Sequence, residues 1–84
     1  MKMKIALTIS PVGIKGYAMT EEIAPVIEVI KNSGLRYEFY SMFTEIEGES
    51  EDIYKLIKEA SQTILDKGLG VEIHMKGDIP PQKN

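Results

Sequence analysis

SGLRYEFYSMFTEIEGE, the stretch from Ser33 to Glu49, contains the local signals that decide the fold. Gly34 is suited to ending a helix, because glycine adopts the left-handed backbone conformation of a C-terminal cap without strain. Apolar and polar residues then alternate from Leu35 to Tyr40, and an acidic alternating segment follows from Thr44 to Gly48. The pattern predicts two strands joined by a short turn that is rich in aromatic residues.

A strand and a helix are predicted before this stretch. Residues 3–10 alternate with a period of two, which predicts a strand with one apolar face. Residues 11–16 contain a proline and two glycines and predict a loop. Apolar residues spaced three and four apart then predict a helix that buries Ile23, Val26, Ile27 and Ile30. Because Pro25 removes a helical hydrogen bond, we expect the regular helix to begin near Ala24, after an irregular entry from Thr20 to Ile23.

A second helix and a last strand are predicted after the stretch. Ser50 is expected to cap the helix, and acidic residues at 51 and 52 favour its positive N-terminal end. Gly68 ends this helix. Its buried stripe comprises Ile53, Leu56, Ile57, Ala60 and Ile64. The last strand has Val71, Ile73 and Met75 on one face and Glu72, His74 and Lys76 on the other.

The resulting order, βαββαβ, predicts an α+β ferredoxin-like sandwich with a four-stranded antiparallel sheet and two helices on one face. Residues 1–77 form this single domain, and residues 78–84 form a polar C-terminal tail. The sheet face that packs on the helices is expected to carry Ile5, Leu7, Tyr37, Phe39, Val71 and Ile73. The open face is expected to carry Ala6, Thr8, Ser10, Arg36, Glu38, Tyr40, Glu72 and His74.

Composition excludes several classes of protein. The chain has 84 residues, no cysteine, one histidine and a formal net charge of −3. A nucleic-acid binder should have a basic patch, and no apolar run is long enough to span a membrane. The N-terminal segment lacks the cleavage site of a secretion signal, so we expect a cytoplasmic protein. With neither disulfides nor thiolate metal sites available, self-association is the expected means of stabilising so small a domain.

Clustered carboxylates are the first candidate for chemistry. Glu45, Glu47 and Glu49 alternate along one strand face, and Glu38 is a candidate to lie opposite them. The cluster is either a solvated strand face, which is the commoner situation, or a site for a cation or for proton transfer. Without histidine or cysteine partners, it would suit only hard metal ions, and we expect no metal site.

Aromatic residues and the single histidine are the second candidate. Tyr40 and Phe43 flank the predicted turn, where they could stack on a flat heterocycle, attract a cation or pack in an oligomer interface. His74 lies on the mixed open face, where a structural role is more common than hydrogen bonding to a ligand.

Enzyme signatures are missing. The loop at residues 11–16 lacks the Gly-Lys-Ser/Thr ending of a phosphate-binding loop. The serines have no recognisable histidine–carboxylate arrangement, and an acylphosphatase would need an arginine after the first strand, whereas Arg36 lies in the second. An enzyme that uses Glu47 as a base is the least favoured alternative, because the sequence offers no partner group.

Three segments resemble the small thiamine-binding protein family of bacteria and archaea. The first is the strand KIALTISPVG, which ends in a proline-containing turn. The second is the helix end with Ile30, Lys31, Ser33, Gly34, Leu35, Tyr37 and Glu38. The third contains Met42, Thr44, Ile46, Glu47, Gly48 and Glu49.

The resemblance implies a non-enzymatic ferredoxin-like subunit that pairs through its open sheet face and assembles as a dimer of dimers, a homotetramer. It also implies that thiamine, or its hydroxymethylpyrimidine part, binds as a ligand near the subunit contacts, with no other cofactor. The side chains that offer carboxylates, aromatic faces, hydroxyls and an imidazole for such a ligand are Ser10, Glu38, Tyr40, Phe43, Thr44, Glu47 and His74.

The turn departs from the family pattern. Where the family usually has Gly-Pro-Met-Gly, this chain has Tyr-Ser-Met-Phe at residues 40–43. The two aromatics either stack on a ligand or fill its place. The alternative function is therefore an oligomeric scaffold or regulatory module without a thiamine ligand, whose aromatic turn packs against a partner.

Overall fold

The structure is a computed structural model that describes residues 1–12 and 20–82. Its elements are β1 (Lys2–Val12), α1 (Thr20–Asn32), β2 (Arg36–Phe39), β3 (Thr44–Glu49), α2 (Ser50–Leu65) and β4 (Gly70–Asp78). The predicted βαββαβ order is therefore confirmed. The predicted loop glycines, Gly13 and Gly16, and the last two residues of the predicted tail lie outside the described residues.

All four strands form one antiparallel sheet in the order β2-β3-β1-β4. In this sheet Ile5 of β1 lies opposite Ile46 of β3 and Gly77 of β4. Residues directly opposite in an antiparallel sheet share a face, so the register extends the apolar face of β1 across the sheet. Both helices cover that face, and the predicted ferredoxin-like α+β fold is confirmed.

The core lies between the helices and this sheet face. It comprises Met3, Ile5, Leu7, Val26, Ile30, Ile46, Ile53, Leu56, Ala60 and Ile64. Burial of each large aliphatic side chain contributes about 1.5–3 kcal/mol relative to an exposed one. The core leaves the edges of the sheet uncovered, since Phe39 on β2 and Ile73 on β4 face the helices yet are 40% and 44% exposed.

The start of α1 corrects the sequence prediction. The helix is continuous from Thr20 and includes Pro25, so the expected irregular entry up to Ile23 was wrong. Proline has no N–H to donate to the carbonyl four residues earlier, which is the carbonyl of Glu21. Lys67 Nζ donates to that oxygen at 2.9 Å. A side chain 46 residues away therefore supplies a donor to the carbonyl that Pro25 leaves without its helical partner.

The start of α2 is a second correction. Ser50 is the first residue of the helix rather than its cap; Glu49 occupies the cap position, and its side chain makes no capping hydrogen bond. Because β3 runs directly into α2, the backbone N–H of Ser50 is available to donate to the carbonyl of Met1 at 2.8 Å. The predicted acidic residues of the first turn are confirmed.

Two glycines shape the helix ends, as predicted. Gly34 and Gly68 both have a φ of +79°, a conformation that is costly for other residues. At the other end of the chain, β4 extends to Asp78, one residue into the predicted tail. The carboxamide of Gln82 then bonds both the N–H and the carbonyl of Lys2, at 2.8 and 3.0 Å, and holds the tail beside β1.

Candidate functional site

A groove of about 310 Å³ lies on the open face of the sheet, opposite the helices. It crosses β2, β3 and β1, and the turn after β2 forms one end. Its lining comprises Lys4, Arg36, Tyr37, Glu38, Tyr40, Glu45 and Glu47. All the charged residues in this set lie on the open face, because successive residues of a strand alternate between the two faces of the sheet.

The groove contains an unbalanced pair of carboxylates. Glu38 and Glu45 are direct partners in the β2–β3 register, and like charges directly opposite each other destabilise a sheet. Lys4 Nζ lies 3.7 Å from Glu45 Oε1. Among the described residues, Glu38 has no ion pair or side-chain hydrogen bond. The arrangement therefore favours a positively charged group beside Glu38.

A third carboxylate is partly neutralised. Glu47 Oε1 lies 3.7 Å from Arg36 Nη1, and the two residues are direct partners in the register. The groove thus holds three carboxylates and two cationic side chains, for a formal charge of −1 from the lining residues. A ligand with one positive charge would balance this groove.

The aromatic turn closes one end of the groove. The backbone N–H of Tyr40 donates to the carbonyl of Phe43 at 2.9 Å, and their ring centroids lie 5.0 Å apart with the planes tilted by 34°. Tyr40 is half exposed and lines both the groove and a second cleft. Its ring is available at the groove end as a flat surface.

The second cleft has an apolar lining and lies on the helix side of the sheet. It has a volume of about 240 Å³ and runs between α1, β1 and the aromatic turn. Phe43 and Thr44 line it, as do Leu7, Val26 and Ile30. Thr44 faces this side because it pairs with Leu7 across the sheet. The structure therefore separates Phe43 and Thr44 from the groove carboxylates.

Ser10 and His74 lie on the open face but outside the groove. His74 pairs with Thr8, and Ser10 pairs with Glu72, both across the β1–β4 ladder. His74 Nε2 lies 2.6 Å from Glu72 Oε1. Of the seven predicted site residues, the groove brings together Glu38, Tyr40 and Glu47.

Four groove residues are not among the predicted ligand-binding residues: Lys4, Arg36, Tyr37 and Glu45. Glu45 belongs to the predicted carboxylate cluster, whereas Lys4 gives no local signal of a site. Lys4 enters the groove because β1 lies beside β3 with Lys4 opposite Glu47. A correct guess of strand order and register would have been needed to find it.

Two further observations limit the kinds of site. Within residues 1–12 and 20–82, no group of three histidine, cysteine or acidic residues is placed to hold a metal ion. In the same ranges, no helix is both long enough and apolar enough to cross a membrane.

The sequence matches a known family over nearly its whole length. The pattern of the family described as "Thiamine-binding protein" matches residues 5–83. A UPF0045 protein of Methanocaldococcus jannaschii is 35% identical over 65 residues, which cover 77% of this chain and 64% of that protein. A UPF0045 protein of Clostridium perfringens is 27% identical over 66 residues, covering 79% and 68% of the two chains.

Solved structures share the fold. A crystal structure of the M. jannaschii protein has a TM-score of 0.84 at 32% identity and covers 99% of this chain and 84% of that one. A domain of unknown function from Bacillus cereus has a TM-score of 0.83 at 28% identity, with 96% and 78% covered. A Thermotoga maritima protein whose suggested role is thiamine biosynthesis or salvage has a TM-score of 0.80 at 23% identity, with 95% and 85% covered. The last of these shows likeness of fold alone.

Proposed function

The chain belongs to the thiamine-binding protein family, and from this membership we propose that it binds thiamine, or the hydroxymethylpyrimidine part of thiamine, without catalysing a reaction. The family description names binding and no reaction. The observation that carries the proposal is the like-charge pair of Glu38 and Glu45 in the open-face groove.

Thiamine has the chemistry that this groove lacks. Its thiazolium ring carries a positive charge, which would relieve the repulsion between Glu38 and Glu45. Its aminopyrimidine ring is flat, so it can stack on Tyr40 at the groove end. Glu47 would accept a hydrogen bond from the pyrimidine amino group. A ligand that combined one cation with one flat ring would therefore use each distinctive feature of the groove.

The groove is too open on one chain to enclose a ligand, since it lies on an uncovered sheet face. Binding sites normally bury most of their ligand. We therefore place the ligand at the contact between two open faces and propose a homodimer that pairs again into a tetramer. Ser10 and His74, which lie on the same face outside the groove, would then reach the ligand only from the second copy.

Calorimetry with thiamine and with hydroxymethylpyrimidine tests the ligand. We expect both compounds to bind. We expect Glu38→Gln to lower the affinity for thiamine at least about fivefold, equivalent to about 1 kcal/mol of binding free energy. The same change should affect hydroxymethylpyrimidine much less, because that fragment lacks the thiazolium charge. Glu28→Gln, at an exposed position of α1, is the matched control and should change neither affinity.

One calorimetric result would contradict the ligand proposal. If neither compound releases nor absorbs heat with the folded wild-type protein at concentrations far above those of the chain, the ligand proposal fails. Glu38→Gln also removes a like-charge contact, so the variant should be folded and at least as stable as the wild type. Loss of affinity in this variant would therefore report on the groove rather than on unfolding.

A scaffold without a thiamine ligand is the second candidate. It is favoured by the exposure of the turn tip, where Met42 is 80% exposed and Tyr40 is 50% exposed. In that case Tyr40→Ala or Phe43→Ala would weaken assembly, as measured by sedimentation, and thiamine binding would be undetectable both with and without the substitution.

The cytoplasmic location predicted from the sequence stays a prediction that cell fractionation can test.

A further inference from the structure

One row of four residues crosses the open face of the sheet from edge to edge. Glu38 of β2 lies opposite Glu45 of β3. Glu45 lies opposite Ala6 of β1, and Ala6 lies opposite Lys76 of β4. Residues directly opposite each other share a face, so all four side chains project from the open face. Neighbouring strands lie about 4.8 Å apart, so the row spans about 14 Å.

This row carries negative charge at one end and positive charge at the other. Two carboxylates occupy its first half, and Ala6 separates them from the ammonium group of Lys76. In the adjacent row the charges alternate in sign across the four strands, in the order Arg36, Glu47, Lys4 and Asp78. Unlike that row, the first one keeps its opposite charges apart, and we call it the dipolar row.

The two ends of the dipolar row lack counter-ions. Among the described residues, neither Glu38 nor Lys76 forms an ion pair. Asp78 is the nearest acidic residue to Lys76 along the same face of β4, and it too forms no ion pair with that lysine. The fold therefore holds an unpaired carboxylate and an unpaired ammonium group at opposite ends of one row.

Two adjoining cavities follow the dipolar row. The groove described above covers its carboxylate end. A further cavity of about 190 Å³, which we call the β4 cavity, covers its lysine end and is lined by Lys76 and Asp78, among others. Both cavities are lined by Lys4 and Glu45. Because the side chain of Ala6 is only a methyl group, a ligand in the groove can extend into the β4 cavity.

We infer that the open-face site takes a dipolar ligand, whose cation lies over Glu38 and Glu45 and whose anionic group binds Lys76. This inference rests on the thiamine binding proposed above. The thiazolium ring of thiamine carries a hydroxyethyl arm, and a phosphate ester of that arm has the required charges at its two ends. The preferred ligand is therefore a phosphate monoester of thiamine rather than the free alcohol.

A phosphate group suits the β4 cavity. A phosphate monoester carries a charge of about −1.5 to −2 near neutral pH, and a lysine binds phosphate as a point charge with three rotatable donors. Asp78, on the same face of β4, repels an anion. Lys4 lies directly opposite Asp78 and offsets that repulsion, so Lys76 remains the cation that the phosphate meets.

Calorimetry with thiamine and with thiamine monophosphate tests the inference. We expect the wild type to bind the monophosphate about fivefold more tightly, the upper end for one exposed ion pair. Lys76→Gln should make the two affinities equal by weakening the monophosphate alone. Lys76→Arg keeps the positive charge and should retain the preference.

Changes elsewhere in the chain serve as controls. Glu38→Gln should weaken both compounds by the same factor, because the thiazolium ring is common to both, and should leave their ratio unchanged. Lys58→Gln, at an exposed position of α2, is the matched control for Lys76→Gln and should change neither affinity. High salt should reduce the preference for the monophosphate, because salt screens exposed charges.

The outcomes distinguish this inference from the proposed function. If the folded wild type binds thiamine but binds the monophosphate no more tightly, the dipolar ligand is overturned while thiamine binding stands. A folded Lys76→Gln protein that keeps the wild-type ratio would overturn it equally. If neither compound binds, the proposed function fails and this inference fails with it.

Discussion

At the scale of single residues, Lys67 has a structural role that its exposed position conceals. Its ammonium group donates to the Glu21 carbonyl at 2.9 Å, which is the carbonyl that Pro25 leaves without its helical partner. The contact joins the turn after α2 to the first turn of α1. One surface lysine therefore compensates in part for a proline within the helix.

Lys67→Met should lower the free energy of unfolding by about 1 kcal/mol, because it leaves the Glu21 carbonyl with water as its only donor. Urea denaturation followed by circular dichroism measures the change. In the Pro25→Ala background the helix supplies its own donor, so the same lysine change should cost much less. Equal losses in both backgrounds would show that Lys67 acts in some other way.

At the scale of elements, the junction of β3 and α2 is tied to the first residue of the chain. Glu49 is the last residue of β3, and its Oε2 lies 2.8 Å from the ammonium group of Met1. The hydrogen bond from that ammonium lowers the pKa of Glu49 from its ordinary value of 4.5. The same hydrogen bond raises the pKa of the Met1 ammonium from its ordinary value of 8.0.

The two pKa shifts define the pH range in which the ion pair of Met1 and Glu49 stabilises the fold. A lowered carboxyl pKa stabilises the fold above pH 4.5, and this is lost as pH falls through the folded-state pKa. A raised ammonium pKa stabilises the fold below pH 8.0, and this is lost as pH rises through the folded-state pKa. Glu49→Gln should therefore lower the melting temperature most between these limits.

Thermal melts across the pH range check this prediction. The difference between wild type and Glu49→Gln should shrink at both ends of the range and at high salt, because both groups are exposed and salt screens exposed charges. Glu59→Gln, on the exposed side of α2, should show no such profile. A constant difference at every pH would contradict the assignment.

At the scale of the whole molecule, the open face of the sheet is the surface that we propose for pairing with a second copy. Ala6 lies near the centre of the open face, with Glu45 on one side and Lys76 on the other. Its small side chain leaves that centre shallow, which favours the approach of a second sheet. The charged residues around it are distributed across all four strands.

Ala6→Arg should abolish open-face pairing, because it places a long charged side chain where two faces would meet. Within one chain the arginine has space and can reach Glu45, so we expect the fold to persist. Light scattering should report half the wild-type mass. Ala24→Arg, an equivalent change at an exposed position of α1, should not alter it, and a folded Ala6→Arg protein of full mass would argue against face pairing.

Much of the fold could be predicted from the sequence because its signals are local. The period of two in β1 and in β4 correctly assigned each residue to a face, and the apolar stripes correctly located both helices. The conformational freedom of glycine alone was enough to predict that Gly34 ends α1. The two errors, at Pro25 and Ser50, occurred where a group that is distant in the sequence makes a hydrogen bond to the helix. Lys67 donates to a carbonyl of α1 in one case, and the Met1 carbonyl accepts from the first residue of α2 in the other.

The candidate site was predicted less completely, for the same reason. The sequence by itself determined that Glu38 lies on the open face and that Glu45 and Glu47 share one face of β3, since alternation along a strand is a property of neighbouring residues. Only the tertiary structure decided that Glu38 opposes Glu45, that Lys4 joins them and that Thr44 turns away with Phe43. Those relations depend on strand order and register, which are set by how the apolar faces of distant strands pack together rather than by any residue's neighbours in the chain.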